Sequence, residues 1–534
     1  MIRTVRDAAF DALRRHDLTT IFANPGSTEI PFLADLPDDL RFVLGLHENS
    51  VVALAAGYAI GRGKPSLVLL HTTAGLGTGV AALATARVNR APLVVLVGQQ
   101  DRRHLEHEPF LAGRLEGLAG EYPVSVEQPA RAQDVPGALA RAAHESVSGR
   151  GPALVIVPMN DWLAPAEQPE ELAAPERVLR GSAPDPSAVA ELAAAVTAAR
   201  SPALVVGAGA DSPETWAALV RLAERLRCPV WQESFGARAG FPQDHPQFAG
   251  FLPGDRPGLR ERLAPHDLVV TVGTAAFRQY AFAEGPLTPE GTRVIVVTDD
   301  PAEAHRSPAA LAIVAPPAGV CSALADVVPQ RDGPAPQPFR RPDPPAPPGP
   351  GEPMRAGHVL AALAERLPRD AVLLEESPSS RPEIHARLPA REPLGFLSAA
   401  MGGLGFAVPG ATGVKMALPD RPVVAVVGDG STLYGVHGLW SAAHYGVGAL
   451  YVVLANGGYA VMDRLAELHG GAGPWPSFSV DVSAIARAFG CSALRIEAHA
   501  ELLQTLDEVV PKLAGRREPL LLEVVVAPDP TFAA

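Results

Sequence analysis

This 534-residue chain has few cysteines and no uncharged run that reads as a membrane span. Its three cysteines, Cys228, Cys321 and Cys491, form no CxxC pair and are odd in number. A disulfide framework is therefore not expected, and we predict buried, unreactive thiols in a reducing compartment. The longest uncharged run, Ser66–Ala86, contains His71 and several glycines and threonines. It predicts a strand, a glycine turn and a helix, and no membrane partner is expected.

The chain also lacks an excess of basic residues. Its formal net charge is -13 and its pI is about 5.6. This balance argues against nucleic acid as a partner, whereas local dipoles and metals still allow an anionic cofactor or substrate. Charges interrupt the N-terminal segment at once, so a signal peptide is not expected and a cytoplasmic location is predicted.

Proline-rich stretches divide the sequence. Residues 164–186 and 330–353 cannot readily form strands or helix interiors and are interpreted as linkers. The remaining segments, 1–163, 187–329 and 354–534, each alternate short apolar runs with helical patterns. Short apolar runs of this kind are typical of buried parallel strands. We therefore predict an α/β protein with three doubly wound parallel-sheet domains.

Two neighbouring apolar runs of the third segment end in chemically suggestive turns. Val423–Val427 precedes Gly428, Asp429, Gly430 and Ser431, and the next run ends just before Asn456, 27 residues after Asp429. One strand–helix–strand unit brings both turns to the same sheet edge, where α/β proteins bind ligands. Asp429, Asn456 and a backbone carbonyl would give Mg²⁺ oxygen ligands, and a diphosphate would complete its shell. A nucleotide or sugar-phosphate loop, or a simple turn, remains the alternative.

This spacing resembles the signature of thiamine diphosphate-dependent enzymes, and within that family the benzoylformate decarboxylases are the most similar. The resemblance extends over nearly the whole chain. It is carried by NPGSTEIPFL (24–33), HENSVVALAAGYA (47–59), HTTAG (71–75), VGQQ (97–100), GGLGFAVPGATGV (402–414) and VVGDGS (426–431). Chance agreement over so many separated segments is improbable.

The resemblance implies two cofactors, thiamine diphosphate and Mg²⁺. It gives Asp429, Asn456 and the carbonyl of Gly458 as metal ligands. One departure lies here, because the family usually has two adjacent asparagines and this chain has Ala455 before Asn456. The residues implied to bind the cofactor are Glu48, Ser379, Gly402, Leu404, Gly428, Asp429, Gly430, Ser431 and Asn456.

Glu48 matches the glutamate that activates the cofactor in this family. A carboxylate hydrogen-bonded to the aminopyrimidine favours the imino tautomer, which removes the proton from C2 of the thiazolium. The alternative for Glu48 is a carboxylate stabilised by a helix N-terminus, with the helix beginning near Val51. Gly402 matches a carbonyl that accepts from the aminopyrimidine, and Leu404 matches the apolar wedge under the cofactor. The family builds its site from two subunits, which implies a homodimer at least and commonly a homotetramer.

Ser27 and His71 match residues that handle the substrate carboxylate and proton transfers. A neutral imidazole near pH 7 can both donate and accept a proton. The alternatives are a turn-capping serine and a hydrogen-bonded core histidine. A second catalytic histidine of the benzoylformate decarboxylases is replaced by Tyr280, a weaker proton donor, which would favour carboligation. His104 and His107 are the alternative proton donors, although surface positions are favoured for both.

The predicted function is that of a lyase which decarboxylates a small-molecule 2-oxo acid to an aldehyde, with possible carboligation. Val461, Met462, Leu465 and Phe110 match an apolar wall that suits an aromatic or branched substrate, with core packing as the alternative. The first rival is a carboligase similar to acetolactate synthase, which often binds FAD in the middle domain. The second is a non-catalytic scaffold of the same fold, which would have no use for Glu48, Asp429 and Asn456 together.

Overall fold

The computed structural model describes residues 2–167, 172–181 and 183–528, and its strands form three sheets of six. All strand pairs within the sheets are parallel. The strands are β1 (Thr20–Asn24), β2 (Arg41–Leu44), β3 (Ser66–His71), β4 (Leu93–Gln99), β5 (Ser125–Glu127), β6 (Pro152–Pro158), β7 (Pro202–Val206), β8 (Val230–Gln232), β9 (Phe248–Phe251), β10 (Leu268–Val272), β11 (Arg293–Thr298), β12 (Leu311–Val314), β13 (Val372–Glu376), β14 (Phe396–Ser398), β15 (Val423–Gly428), β16 (Leu450–Ala455), β17 (Ser492–Ile496) and β18 (Leu520–Val525).

Helices cover the faces of these sheets. They are α1 (Val5–Arg15), α2 (Ile30–Leu33), α3 (Glu48–Arg62), α4 (Thr72–Val88), α5 (Val135–Gly149), α6 (Pro186–Ala198), α7 (Pro213–Leu226), α8 (Arg256–Leu263), α9 (Pro301–His305), α10 (Pro317–Val327), α11 (Ala356–Arg366), α12 (Arg381–Arg387), α13 (Ala407–Ala417), α14 (Asp429–Gly435), α15 (His437–His444), α16 (Ala460–Leu468), α17 (Val482–Ala488) and α18 (His499–Val509). The predicted fold class is confirmed.

Two of the three sheets share one strand order. The first sheet runs β2-β1-β3-β4-β6-β5 and the third runs β14-β13-β15-β16-β18-β17, which is the same order shifted by twelve strands. The middle sheet runs β12-β11-β10-β7-β8-β9, the order of a dinucleotide-binding fold. In such sheets ligands bind at the carboxyl ends of the strands where the order reverses. These points lie between β1 and β3, between β7 and β10, and between β13 and β15.

The predicted linkers lie between the sheets. Residues 168–171 and 182 of the first linker fall outside the described residues, as do residues 529–534 of the third predicted domain. The second linker, 330–353, carries no helix or strand. Phe339 within it packs against the middle-domain core and donates its backbone N–H to Phe248. The domain boundaries themselves stay a prediction.

The first and third domains share one core through α3 and α13. Helix α3 is apolar on almost every face and is buried, because it lies between the first sheet and α13. A Cβ on Gly57 would lie 2.2 Å from the carbonyl oxygen of Gly410, so only glycine allows the two helices to approach this closely. This packing fixes the N-terminal end of α3, where Glu48 lies, relative to the third domain.

The expected burial of the cysteines is confirmed, and the expected glycine turn is wrong. All three cysteines are buried, and burial raises the pKa of each thiol to about 12. No helix of the described residues is long and apolar enough to cross a membrane. The expected glycine turn after β3 does not exist, because α4 begins at Thr72 and contains Gly75, Gly77 and Gly79. A Cβ on Gly75 would lie 3.2 Å from the backbone of Leu70, so the glycine lets the helix start directly against the strand.

Candidate active site

Three neighbouring strands of the first sheet end at predicted site residues. Strand β2 leads to Glu48, β1 ends at Asn24 just before Ser27, and β3 ends at His71. The Nδ2 of Asn24 donates to the Glu48 carboxylate at 3.0 Å. Glu48 is the first residue of α3, three residues earlier than the sequence pattern suggested, because the His47 side chain caps the helix. The Glu48 carboxylate is therefore half-buried and held by an amide at the sheet edge.

His71 is held by a buried carboxylate that sequence reasoning missed. Its Nδ1 lies 3.0 Å from Oε2 of Glu29 and 3.0 Å from Oγ1 of Thr28. The Glu29 side chain is 1% exposed and also accepts the backbone N–H of Gly26 and the Thr28 hydroxyl. An acceptor on Nδ1 holds the proton there and leaves Nε2 as the base, so Glu29 sets both the orientation and the tautomer of His71.

Glu29 fits only because a neighbouring strand makes room for it. A Cβ on Gly98, near the end of β4, would lie 1.7 Å from the Glu29 carboxylate. Ser27 lies in the same turn, two residues before Glu29, and its side chain is exposed. Glu29 is within the NPGSTEIPFL stretch, but burial of a charged side chain cannot be read from its letters. The available signal was a glutamate close in sequence to a candidate serine.

The GDG turn and the Asn456 turn come together as predicted. Asp429 is buried, and its two carboxylate oxygens accept the backbone N–H groups of Gly430 at 2.8 Å and Gly457 at 2.7 Å. The Oδ1 of Asn456 accepts from the N–H of Gly458 at 3.1 Å. Burial raises the pKa of the Asp429 carboxyl group, while the backbone donors lower it. A cation would stabilise the ionised form of such a carboxylate.

The glycine-rich loop at 402–405 is clamped from behind by Glu376. This buried carboxylate at the end of β13 accepts the backbone N–H groups of Gly405 at 2.6 Å, Phe406 at 2.8 Å and Ala407 at 2.7 Å. Burial raises its pKa to about 7 against the effect of these donors. Gly402 has a φ of 73°, a conformation that favours glycine, and Leu404 is half-buried. Sequence reasoning did not identify Glu376.

The remaining predicted cofactor residues lie at the same sheet edge. Ser379 is in a short 3-10 helix, Pro378–Ser380, directly after β13, and this helix contacts α16. A Cβ on Gly428 would lie 3.5 Å from Oγ of Ser431 and 3.9 Å from Oγ of Ser377. The ends of β13, β15 and β16 thus collect Ser379, Gly428–Ser431 and Asn456 on three adjacent strands.

Tyr280 is attached to this region through its neighbour Arg278. One guanidinium nitrogen of Arg278 donates to the carbonyls of Phe235 and Ala400, each at 3.1 Å, and Ala400 is two residues before Gly402. The Tyr280 ring lies 6.4 Å from the Phe235 ring and the residue is 69% exposed. The structure therefore places the Tyr280 segment beside the glycine-rich loop.

The proposed apolar wall is not part of a core. Helix α16, which carries Val461, Met462 and Leu465, has no buried residue within the single chain. Phe110 is 86% exposed and Met462 is 42% exposed. The alternative of core packing is therefore wrong for these residues in one chain. His104 and His107 are exposed, as the surface interpretation predicted.

These residues fit a metal-bound diphosphate. The described residues contain no cluster of three or more His, Cys, Asp or Glu side chains suited to a metal. A cation at this edge would therefore be held by one carboxylate, an amide oxygen, a carbonyl and ligand oxygens, which is the pattern Mg²⁺ uses with phosphates. Each Asp429 oxygen accepts one N–H and keeps a lone pair for a metal. A Cβ on Gly458 would meet no atom within 4 Å.

Comparison with protein families covers all three domains. Residues 3–115 match the thiamine pyrophosphate enzyme N-terminal TPP-binding domain, 189–324 match its central domain, and 381–524 match its C-terminal TPP-binding domain. Thiamine pyrophosphate is another name for thiamine diphosphate. The matches include Glu48 in the N-terminal domain and both Asp429 and Asn456 in the C-terminal domain.

Individual relatives are similar along their whole length. A benzoylformate decarboxylase from Pseudomonas aeruginosa is 39% identical over 531 residues, covering 98% of this chain and 99% of that protein. A putative acetolactate synthase large subunit from Mycobacterium tuberculosis is 28% identical over 528 residues, covering 92% and 96%. The solved 4-hydroxybenzoylformate decarboxylase from Rhodococcus jostii superposes with a TM-score of 0.93 at 33% identity, covering 99% of this chain and all of the other.

Proposed function

This chain belongs to the thiamine pyrophosphate enzyme family, and on that premise we propose that it decarboxylates an aromatic 2-oxo acid with Mg²⁺ as the second cofactor. The observation that carries the proposal is the first-domain sheet edge, where Glu48 and His71 follow the ends of the two strands that flank β1. Each is held by a polar partner, Asn24 and Glu29 respectively. The two groups are thus oriented in advance for acid–base chemistry.

Different residues of the chain have different roles in the proposed reaction. When bound, thiamine diphosphate would supply the nucleophilic carbon and the electron sink that decarboxylation of a 2-oxo acid needs. Glu48 holds the proton on the aminopyrimidine ring, and Ser27 binds the substrate carboxylate. His71 moves a proton to and from the reacting carbon through Nε2. Asp429, Asn456 and Gly458 would hold the metal, with Ser379, Ser431 and the Gly402–Leu404 loop around the cofactor.

An aromatic substrate is supported by two independent observations. Two of the similar proteins are named as decarboxylases of benzoylformate and 4-hydroxybenzoylformate. Phe110 and Met462 of α16 are exposed in the single chain, and Val461 and Leu465 of the same helix are only partly buried, so these side chains are free to line a substrate pocket. A pocket wall of this kind favours an aromatic ring over the methyl group of pyruvate.

A flavin-binding carboligase is disfavoured by the middle domain. Its strand order allows a dinucleotide at the turn after β7, where a pyrophosphate would contact Gly207. The Glu233 side chain already occupies the space beside that turn, because a Cβ on Gly207 would lie 2.3 Å from Oε1 of Glu233. Thr274 donates to the other Glu233 oxygen at 2.6 Å. The adjoining cavity of about 220 Å³ is smaller than ordinary small-molecule sites.

Carboligation as a side reaction is favoured by one observation, the tyrosine at position 280. A phenol protonates the intermediate after CO₂ loss more slowly than an imidazole, because its pKa is near 10. The longer-lived intermediate can attack an aldehyde instead. We expect Tyr280→His to raise the ratio of aldehyde to hydroxy ketone, measured by chromatography with an added acceptor aldehyde. If Tyr280→His and Tyr280→Phe both leave the ratio unchanged, Tyr280 has no part in this step.

The direct test is a panel of 2-oxo acids supplied with thiamine diphosphate and Mg²⁺, with and without acceptor aldehydes. We expect CO₂ release to be fastest with benzoylformate and its ring-substituted forms, and slow with pyruvate. Purified protein should be colourless. Fast acetolactate formation from pyruvate by a yellow protein would contradict the proposal, and no turnover of any 2-oxo acid would favour the scaffold.

We extend the proposal to the assembly and its location. The exposed apolar residues of α16, together with Phe110 and Phe282, are the kind of surface that a second copy covers. A homodimer at least, and a homotetramer by the family pattern, would complete the site. Three buried thiols without a disulfide suit the cytoplasm. Sedimentation of the purified holoenzyme tests the assembly.

A further inference from the structure

The chain segment just before Glu48 is hydrogen-bonded to a helix of the third domain. The backbone N–H of Leu44 donates to the hydroxyl of Tyr445 at 2.7 Å, and Oγ of Ser441 donates to the Leu44 carbonyl at 3.2 Å. Ser441 lies on α15 and Tyr445 caps that helix. Both main-chain polar groups of Leu44, four residues before Glu48, are therefore fixed by α15.

A pair of stacked histidines continues this contact up to Glu48 itself. The ring of His47 lies on the ring of His437, the first residue of α15, with centroids 5.1 Å apart and planes 14° apart. The Nδ1 of His47 also accepts the backbone N–H of Asn49 at 3.2 Å, which caps α3. Only a ring nitrogen without a proton can accept this N–H, so a proton on Nδ1 would remove the cap. The Nδ1 of His437 is buried and has no hydrogen-bond partner among the described residues.

The residue after Glu48 is held from the same domain. The Nδ2 of Asn49 donates to the carbonyl of Gly405 at 3.4 Å, in the glycine-rich loop. The third domain thus contacts the chain both before and after Glu48, and we call these contacts the bracket. Asn24 of the first domain holds the Glu48 carboxylate. A displacement of about 1 Å in such a group can cost roughly 100-fold in rate.

We propose that His437 is a positioning residue for Glu48, acting through the His47 cap, and that protonation of the His47–His437 pair releases this bracket. The proposal rests on the activating role given to Glu48 above. Two adjacent imidazolium rings repel each other, and a charged His47 can no longer accept the Asn49 N–H. In either case the start of α3 loses a contact that fixes the Glu48 backbone.

The sign of the pH effect follows from the surroundings of the pair. Burial, and secondarily His47, lower the pKa of His437. A histidine with a lowered pKa destabilises the folded arrangement as the pH falls below about 6.5, because the released form binds the proton more readily. The other ionisable groups at this junction are Glu48, Arg41 over the Tyr445 ring, Tyr445 itself and His444 against the same ring.

The first experiment needs no cofactor. Hydrogen–deuterium exchange of the apoprotein, followed by mass spectrometry, measures protection of the peptide that contains residues 44–50. We expect His437→Ala to raise its exchange about ten-fold at pH 7.5. The matched control is His499→Ala, because His499 also contacts another histidine, His358, at 5.7 Å, but far along the chain from Glu48. The control should leave the peptide protected.

The second experiment measures proton exchange at C2 of bound thiamine diphosphate by NMR, from pH 5 to 8. Wild-type exchange should slow below about pH 6.5. His437→Phe keeps a ring against His47 but cannot be protonated, so it should exchange faster than wild type at pH 5.5 and restore most of the loss seen in His437→Ala. His499→Phe should follow the wild-type profile.

The outcomes separate this inference from the proposed function. If the wild-type protein shows no C2 exchange, the proposed function fails, whereas the deuterium experiment still tests the bracket. If wild type exchanges C2 normally and both His437 variants match the His499 controls in the two measurements, His437 does not position Glu48. Faster peptide exchange with an unchanged C2 profile would also overturn the positioning role, because the contact would then be structural only.

Discussion

The first and third domains have sheets with the same strand order, and two of the three strands that carry candidate site residues correspond between them. By strand order, β13, β15 and β16 of the third domain are equivalent to β1, β3 and β4 of the first. The third domain carries its candidate site residues at the ends of these three strands. The first domain carries its own at the ends of β1 and β3 and after β2, the strand at the edge of the sheet. In both cases the site lies at the point where the strand order reverses. Topology therefore decides where each half of the site lies.

The two edges differ in what they present. The first domain offers side chains that titrate, and each is held by another side chain: Asn24 holds Glu48, and Glu29 holds His71. The third domain offers glycine turns and two carboxylates, Asp429 and Glu376, whose partners are backbone N–H groups. One edge is thus suited to moving protons and the other to binding a metal and phosphates.

The largest expected effect belongs to the binding edge. Asp429→Ala removes the only carboxylate among the proposed metal ligands, so affinity for thiamine diphosphate with Mg²⁺ should fall by more than about 100-fold. Calorimetric titration of the apoprotein measures this. Adding chelator to the wild-type holoenzyme should abolish activity, and adding both cofactors back should restore it. Normal binding by Asp429→Ala would place the metal elsewhere.

Glu48→Gln should separate the two edges. The amide keeps the shape of the carboxylate but loses the charge that favours the imino tautomer. Cofactor affinity should stay within about three-fold of wild type, while C2 proton exchange slows by roughly 10²–10⁴. The same titration and NMR exchange measure both quantities. A loss of binding equal to that of Asp429→Ala would show that the first-domain edge is also a binding edge.

Glu29→Gln tests the positioning of His71. The amide can present a donor to Nδ1 and so favour the wrong tautomer, which should lower kcat by about 10- to 100-fold, as when a working histidine loses its orienting partner elsewhere. Cofactor affinity should not change. Glu106→Gln, at an exposed site in the loop after β4, is the control. Steady-state kinetics with the 2-oxo acid that reacts fastest measure kcat. An unchanged kcat would show that Glu29 has a packing role only.

The smallest effect on binding and rate is expected at Glu376, where the change is in stability instead. Its pKa is raised to about 7, so the folded state binds the proton more tightly than the unfolded state between about pH 4.5 and 7. Its contribution to stability is present at low pH and declines by at most about 1.4 kcal/mol per unit as the pH rises through this window. Glu376→Gln should flatten the denaturation temperature against pH there. A parallel curve for variant and wild type would show that Glu376 is ionised throughout.

The sequence was informative where chemistry is local. The GDG turn and Asn456 could be placed at one sheet edge because parallel strands joined by a helix bring their ends together. Glu48 could be found because it follows an apolar strand in a stretch shared with a known family. Tyr280 was harder, since its segment has no strand of its own, and its position beside Ala400 depends on a contact made by Arg278.

Residues that act by being buried could not be found in this way. The sequence around Glu29 and Glu376 looks like that of an ordinary turn or strand end. Only the surrounding structure shows that each carboxylate is buried and hydrogen-bonded. The glycines of α4 were interpreted as a turn for the same reason. Their use is to let a helix approach a strand, which depends on a partner surface that the segment itself does not contain.

The sequence by itself determined the α/β class and the alternation of strands and helices, and it indicated the residues proposed to hold a metal, because these follow from hydrophobic period and short-range spacing. Only the tertiary structure decided that the first and third sheets share one order, that α3 packs on α13 through Gly57, and that α15 brackets Glu48. These contacts join residues up to about 400 positions apart. The sequence of each contacting segment indicates only which of its residues are apolar or polar. Which segments contact each other is therefore decided by how the whole chain packs.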